Sequence, residues 1–303
     1  MNNNRTIDWI ILDWGTTNFR AFAMSEDGEL VDRVEHKLGL LQVQDGNFAG
    51  QLEVVLSDWL GEFEHLPIYM AGMVGSAQGW VNVPYVSTPV KLENLATNTH
   101  QFTLPWGAEA TIIPGISHCD ESGSYDVMRG EEVQLFGLLE ITGKSTIEAA
   151  FPGTHCKHLQ LNDNKLSSFK TYMTGELFSA LSDHTILGRG LPEQYPSKAA
   201  FERGILESEA GNFTNQIFKA RTHRLFGLLD DSEVHEYLSG LLIGNEIREL
   251  NTQHIYLIGS KALCMRYERT CQLLNKTCEH ISGDESFLAG MLKIKEAMNN
   301  DYA

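Results

Sequence analysis

Apolar and polar positions fall in short runs at the start of the chain. Residues 7–12, 18–24 and 30–37 read as three strands, separated by turns at 15–17 and 27–28, and together predict an antiparallel meander. The spacing then changes. Leu52, Val55, Leu56, Trp59, Leu60 and Phe63 recur at helical intervals and predict one amphipathic helix over 48–63. "PIYMAGMVGS" reads as a short buried strand ending in a glycine-rich loop. Residues 79–105 lack strong periodicity and carry three prolines, which predicts loops and short strands. "ATIIPGIS" is another buried strand. In "GEEVQLFGLLEIT" the apolar residues are too dense for one face, predicting a helix buried on most of its surface. Glu131 and Glu132 sit in its first turn, where the helix dipole favours negative charge.

The order then restarts. "STIEAAFPGTHCKHLQLNDNKLSSFKTYMTG" gives a strand, a Pro-Gly-Thr turn, a strand, an Asp163-Asn164 turn and a third strand, and the helical run "ELFSALSDHTIL" follows. A repeated order of elements after half the chain predicts two related domains. The rest reads as mostly helical. Residues 233–250 present one apolar face, with Ser232 as N-cap, and this helix suits a core or a homodimer face equally. "HIYLIGS" is a late buried strand and "ESFLAGMLKIKEAM" a closing amphipathic helix.

Composition narrows the function. The chain has 303 residues, 42% hydrophobic and 21% charged, which is globular composition with room for two domains. The net charge of −17 disfavours nucleic acid or an anionic membrane as partner. An anionic substrate must then meet local positive potential from helix N-termini, Arg, Lys or a metal. No apolar run has the length of a membrane span, and "MNNNRTIDW" lacks a signal peptide's apolar core. A cytoplasmic protein is expected, in which the sequons at Asn212 and Asn275 carry no meaning. Five scattered cysteines fit a reducing compartment, and Cys264, Cys271 and Cys278, seven residues apart, read as small buried residues rather than a metal site.

Candidate chemistry starts at the turns. Gly15, Thr16 and Thr17 allow backbone N–H groups and hydroxyls to converge on phosphate oxygens, and Asp13 beside them suits a hydrated Mg²⁺. A plain hairpin turn is the alternative, but Gly153 and Thr154 repeat the feature in the second half, and two such turns can clamp one polyphosphate. "GLLEITGKS" leaves a helix and enters a strand, the reverse of a P-loop, and no GxGxxG occurs. Glu131, Glu132 and Asp126 surround Arg129 and Gly130. A carboxylate there suits a general base for a sugar hydroxyl, or else simple helix-start electrostatics. His155 and Lys157, alternating along a strand, share a face that reaches an anion or solvent. Gly259 and Ser260 give a nucleoside access to backbone, or form an ordinary turn.

Taken together, these residues resemble the acetate kinase–actin–Hsp70–hexokinase superfamily. Asp13 with Gly15-Thr16-Thr17 is similar to its first phosphate motif, Gly153-Thr154 to its second, and "LIGSKAL" to its adenosine motif, although Ser260 stands where a second glycine is usual. "DWGTTNFRA", "MAGMVGS", "IIPGIS", "VMRGEE", "FPGTHCKH", "TYMTGELFSAL" and "LSGLLIGNEI" resemble the 2-dehydro-3-deoxygalactonokinase family in order along nearly the whole chain. The resemblance implies an α/β protein of two related ribonuclease H-like domains with a cleft between them. These would be an N-terminal domain over 1–130 and a C-terminal one over 131–303. The helix from 131 would connect them, and the last helix, 285–298, is placed to pack back on the first.

It implies a kinase that uses ATP and Mg²⁺ to phosphorylate the 6-hydroxyl of 2-dehydro-3-deoxy-D-galactonate. Asp13 would position the metal, with Gly15, Thr16, Thr17, Gly153 and Thr154 on the phosphates and Gly259 and Ser260 on the nucleoside. Glu131 would be the base, with Glu132 second. Arg20 or Arg129 would fork onto the substrate carboxylate, and Gly72, Met73 and Ser76 would supply donors from their loop. Rival readings are a kinase of another sugar, a nucleotide-gated binding protein of the actin or Hsp70 kind, and an inactive sensor.

Overall fold

The computed structural model describes residues 6–61, 65–209 and 213–300; Phe63 and Asn212 lie outside them. The chain divides into two units. The first comprises Met1–Thr146, Leu161–Ser168 and Asp284–Ala303, the second Ile147–Gln160 and Phe169–Gly283.

In the first unit, β1 (Trp9–Trp14), β2 (Phe19–Met24) and β3 (Leu30–His36) form the expected meander. β1 lies mid-sheet and is buried on both faces, which explains its unbroken apolar run. Helix α1 (Phe48–Leu60) starts where the Asn47 side chain accepts the Gly50 N–H, and it turns Leu52, Leu56 and Trp59 inward. Then come β4 (Ile68–Ala71), β5 (Val86–Ser87), α2 (Leu92–Thr97), β6 (His100–Thr103), β7 (Glu109–Ile112), β8 (Ile116–Cys119), β9 (Tyr125–Met128) and α3 (Glu131–Thr142). The main sheet runs β3-β2-β1-β4-β7-β6, with β4 parallel to β1 and β7 parallel to β4; β5, β8 and β9 make a small separate sheet. α2 was not expected between 79 and 105. Its six residues are too few to show a period, and it begins where the Asn94 side chain accepts the Lys91 N–H at 2.9 Å.

The second unit holds β10 (Ile147–Phe151), β11 (Cys156–Asn162), β12 (Lys165–Tyr172), α4 (Thr174–His184), α5 (Lys198–Glu207), α6 (Phe213–Leu225), α7 (Val234–Arg248), β13 (His254–Gly259), α8 (Lys261–Leu273) and β14 (Thr277–Ser282). The tip of the β11–β12 hairpin belongs to the first unit. Asp163 and Asn164 both take positive φ there, 51° and 59°, the type I′ geometry that suits a two-residue hairpin. The sheet order β12-β11-β10-β13-β14 repeats β3-β2-β1-β4-β7.

One alternative in this half is decided, and two readings are corrected. Of the two uses open to the helix, α7 spends this apolar face on the core, since Tyr237, Leu238, Leu241 and Ile247 are all fully buried. It crosses α5 at two glycines: a Cβ on Gly204 would stand 2.2 Å from the Tyr237 carbonyl, and one on Gly240 2.0 Å from that of Phe201. Ser232 does not cap α7. It lies inside a 3-10 turn over Asp231–Glu233 whose cap is the Asp230 side chain. β14 is a polar edge strand, and its exposed pattern hid it among predicted helices. The seven-residue cysteine spacing leaves Cys264 and Cys271 on α8 and Cys278 on β14, all unbridged.

Helix α9 (Gly283–Asn300) returns to the first unit and buries Phe287, Met291 and Ile294. It crosses α3 where Gly137 and Gly290 meet, and α3 therefore groups with the first unit. Among the described residues no helix is long and apolar enough to cross a membrane. A Cβ on Gly137 would lie 1.7 Å from the Ser286 carbonyl, and that backbone has no flexible tip to yield. Gly137→Ala is expected to lower stability by about 1–3 kcal/mol, read as a shift in the urea midpoint. An unchanged midpoint would show that the crossing relaxes freely.

Candidate functional site

In the first unit, β1 ends at Trp14. Its indole packs against Phe19, Phe48 and Trp80, with ring centroids 5.0, 5.4 and 6.4 Å away, and its Nε1 donates to the Leu38 carbonyl at 2.9 Å. The chain turns over this anchor. Gly15 N–H donates to the Asn18 carbonyl at 2.9 Å and closes the turn. From below, Gly39 N–H donates to the Thr17 carbonyl at 3.1 Å and Leu40 N–H to the Gly15 carbonyl at 3.0 Å. Position 39 must be glycine, since a Cβ would fall 2.2 Å from the Thr16 carbonyl. The turn's carbonyls are thus bonded on its inner side. Among the described residues the N–H groups of Thr16 and Thr17 find no acceptor, and both residues are exposed. Outward N–H groups with hydroxyls beside them complement an anion.

Asp13 faces Arg20 across the β1–β2 ladder. Arg20 Nε donates to Asp13 Oδ2 at 3.0 Å, its Nη2 reaches the same oxygen, and its Nη1 pairs with Asp284 in the first turn of α9. Arg20 is therefore committed to two carboxylates, which leaves it a brace and not a free fork for a substrate. Among the described residues Asp13 Oδ1 has no hydrogen-bond partner. It lies beside Gly72, where a Cβ would come within 3.3 Å of it and 2.9 Å of the Trp14 carbonyl; Gly72 also needs its φ of +93°.

Gly72 opens the loop that contains Met73 and Ser76. Met73 is half-buried, and Ser76 is buried with its Oγ unpartnered among the described residues. Gly130, at φ +114°, lies against Gly72 and brings the head of α3 to this loop. Arg129 is buried, 8% exposed, with its Nη2 donating to the Val83 carbonyl at 2.7 Å and its guanidinium 4.3 Å from the Tyr85 ring centroid. Among the described residues its Nε and Nη1 have no partner. Nη1 points at Gly75, where a Cβ would sit 2.9 Å away. Tyr85 and the Val83 carbonyl carried no sequence signal, because a loop without periodicity does not announce which side chain it folds over a distant arginine.

The two acids of α3 separate. Glu131 is half-buried and accepts the Arg129 N–H at 3.2 Å. Glu132 is wholly buried, and its carboxyl folds back onto the Gly130 N–H at 2.7 and 2.8 Å, closing the helix start. Burial, with the neighbouring Glu131 charge, pushes Glu132 up to about 8. Both Glu132 oxygens are taken up by the Gly130 N–H, so Glu132 closes the helix start and Glu131 is the more exposed of the two acids. Asp126, on β9, is half-buried.

In the second unit, β10 ends at Phe151 and the chain turns through Pro152, Gly153 and Thr154. Gly153 N–H donates to Cys156 Sγ at 3.4 Å, and Glu176 N–H to the Thr154 carbonyl at 3.0 Å. Among the described residues the N–H groups of Thr154 and His155 have no acceptor. Gly175, at the head of α4, packs on this turn so tightly that a Cβ would lie 2.5 Å from the Gly153 carbonyl. His155 and Lys157 do not share an accessible face. His155 precedes the strand, is exposed and pairs with Glu176, whereas Lys157 is buried and donates to Thr171 Oγ1 at 2.6 Å. Gly259, with φ +151°, ends β13 beside the Pro152 carbonyl, and Ser260 precedes α8 without capping it by its side chain.

The profile of the 2-keto-3-deoxy-galactonokinase family matches residues 13–294. The chain is 37% identical to the 2-dehydro-3-deoxygalactonokinase of Escherichia coli (strain K12), over 97% of this chain and 100% of that protein. A solved structure from Sinorhizobium meliloti, provisionally named a 2-dehydro-3-deoxygalactonokinase, superposes with a TM-score of 0.87 at 29% identity, over 97% of this chain and 99% of that one. The activator of 2-hydroxyisocaproyl-CoA dehydratase from Clostridium difficile, solved with ADPNP bound, is similar in fold, with a TM-score of 0.51 at 13% identity and 97% of each chain covered. The fold is that of the actin/hexokinase-type ATPases, with two related ribonuclease H-like domains.

Glu132 makes stability depend on pH. An ordinary glutamate ionises near 4.5, so the folded state holds a proton that the unfolded chain has lost between about pH 4.5 and 8. The stability that this proton represents is complete below 4.5 and is lost as pH rises through 8. Glu132→Gln is neutral at every pH. Relative to wild type, the variant should gain stability between pH 5 and pH 8.5, by on the order of a few kcal/mol in urea unfolding. A difference that stays constant with pH would mean that the buried carboxyl ionises normally.

Proposed function

The chain belongs to the 2-keto-3-deoxy-galactonokinase family, and on that premise we propose that it transfers the γ-phosphoryl group of ATP, with Mg²⁺, to the 6-hydroxyl of 2-dehydro-3-deoxy-D-galactonate in the cytoplasm. The observation that carries the sugar-acid reading is Arg129, a buried cation whose Nε and Nη1 lack partners among the described residues. Leaving a guanidinium so poorly bonded in a protein interior is costly unless a ligand completes it. A carboxylate presents two oxygens to that fork. The buried, unpartnered Ser76 hydroxyl comes from the same loop and supplies a further polar contact.

The outward N–H groups of Thr16 and Thr17, and separately those of Thr154 and His155, hold phosphate oxygens. Gly15 and Gly153 let the backbone approach closely. Asp13 Oδ1, with no protein partner among the described residues, fits a hydrated Mg²⁺, which takes one or two carboxylates and keeps several waters. When bound, that ion neutralises charge on the β- and γ-phosphates. Glu131 accepts the proton of the 6-hydroxyl as its oxygen bonds to the γ-phosphorus and the bond to the β-phosphate oxygen breaks, releasing ADP. Gly259 and Ser260 lie at the carboxyl end of β13, where a nucleoside reaches backbone.

Two variants separate these roles. Glu131→Gln should lower kcat by about 10²–10⁴-fold while the nucleotide still binds. Near-normal turnover removes Glu131 from the role. Arg129→Lys keeps the charge and loses the fork, so KM for the sugar acid should rise about tenfold or more with KM for ATP unchanged. An ATP-consumption assay across hexoses, hexonates and 2-keto-3-deoxy acids tests the substrate itself. Activity confined to a neutral hexose rejects the sugar-acid reading.

A further inference from the structure

Behind the Gly153-Thr154 turn lies a closed set of buried polar side chains that the chemistry above leaves unused. Its centre is Glu246 on α7, 2% exposed. Glu246 Oε1 accepts from His158 Nε2 at 2.6 Å. Its Oε2 accepts from Tyr267 Oη of α8 at 2.8 Å and from Thr174 Oγ1, the first residue of α4. A carboxylate this deep normally carries a heavy desolvation cost, and here three donors from three different elements offset it.

Both flanks of the turn are tied to this one carboxylate. On the first flank, Tyr267 Oη also contacts Cys156 Sγ at 3.0 Å, and Cys156 Sγ in turn meets the Gly153 carbonyl at 3.3 Å and the Gly153 N–H at 3.4 Å. Burial, with the Glu246 charge, pushes the Cys156 thiol up to about 12, so it stays protonated as a donor. On the second flank, Thr174 starts the helix turn in which Gly175 packs on Gly153 and Glu176 N–H bonds the Thr154 carbonyl. The turn therefore has no soft side: Cys156 holds Gly153, and the head of α4 holds Thr154.

We propose that Glu246 is a positioning residue for phosphate binding: through Tyr267–Cys156 on one side and Thr174 on the other, it sets the direction of the free N–H groups of Thr154 and His155. This rests on the reading of that turn as a phosphate site. Preorganised donors bind a phosphate without paying to reorient, so a small misplacement at the turn costs affinity for ATP and leaves the sugar acid untouched.

The experiment uses the full-length enzyme. Selective ¹⁵N-threonine labelling first reports whether the Thr154 amide resonance shifts when a non-hydrolysable ATP analogue and Mg²⁺ are added. Steady-state kinetics are then measured for Thr174→Val, Thr174→Ser and Tyr267→Phe. The expected result is a shifted Thr154 amide and a KM for ATP raised about tenfold to a hundredfold in Thr174→Val and Tyr267→Phe. KM for the sugar acid should be unchanged, and Thr174→Ser, which restores the hydroxyl, should behave like wild type. Glu246→Gln, if it folds, should show the same split. If the amide shifts but KM for ATP does not change in Thr174→Val and Tyr267→Phe, the positioning role is wrong and the phosphate turn stands. If both KM values rise together with a lowered melting temperature, Glu246 serves general stability and the proposal fails. If the Thr154 amide ignores the nucleotide, the phosphate reading falls and this proposal with it.

Discussion

A backbone N–H group left without an acceptor is tolerable only where water or a ligand takes its place. That constraint governs both halves of this protein. At Thr16 and Thr17, and again at Thr154 and His155, the chain holds donors outward. It does so by bonding the neighbouring carbonyls from behind. In the first unit the backbone at Gly39 and Leu40 does this, close enough to exclude any side chain at position 39. In the second the start of α4 and the Cys156 thiol do it. The two braces use unrelated elements to reach one result, although the sheets that carry them repeat the same strand order.

Positive charge is scarce in a chain of net charge −17, and its placement matters more than its amount. Arg20 and Arg129 looked interchangeable as carboxylate readers. Arg20 lies directly opposite Asp13 and is also claimed by Asp284, which is far away in sequence. Arg129 is buried under Tyr85 with part of its fork unused. One arginine locks strand to helix, and the other keeps two of its nitrogens without a partner among the described residues.

The strands, the turns between them and the repeat were legible because a period of two and a Gly-Thr or Asx turn are local properties. The fate of individual polar side chains was not. Glu131 and Glu132 are adjacent and chemically alike, yet a helix sends consecutive residues about 100° apart, and tertiary packing leaves one half-buried and the other wholly buried. Lys157 sat in a strand pattern that suggested an accessible face, but the face it occupies is covered. Ser232 had the composition of an N-cap, and a 3-10 turn in front of α7 gave that place to another residue. α2 was too short and β14 too polar to show a period. Glu246, His158, Thr174 and Tyr267 are scattered over more than a hundred positions, and no spacing rule links them.

The crossing of α3 and α9 also sets an order of events on the ribosome. The second unit is drawn from residues 147–283, with only the short stretch 161–168 given to the first. The first unit needs Asp284 for Arg20 and Phe287, Gly290 and Met291 for its core. It is the earlier unit to be translated and the later one to be finished. The unit that carries Asp13 must wait, with the α9-facing side of α3 bare, until residues 284–294 have emerged. Nascent chains of this protein are therefore expected to keep that apolar surface of α3 exposed until α9 has been made.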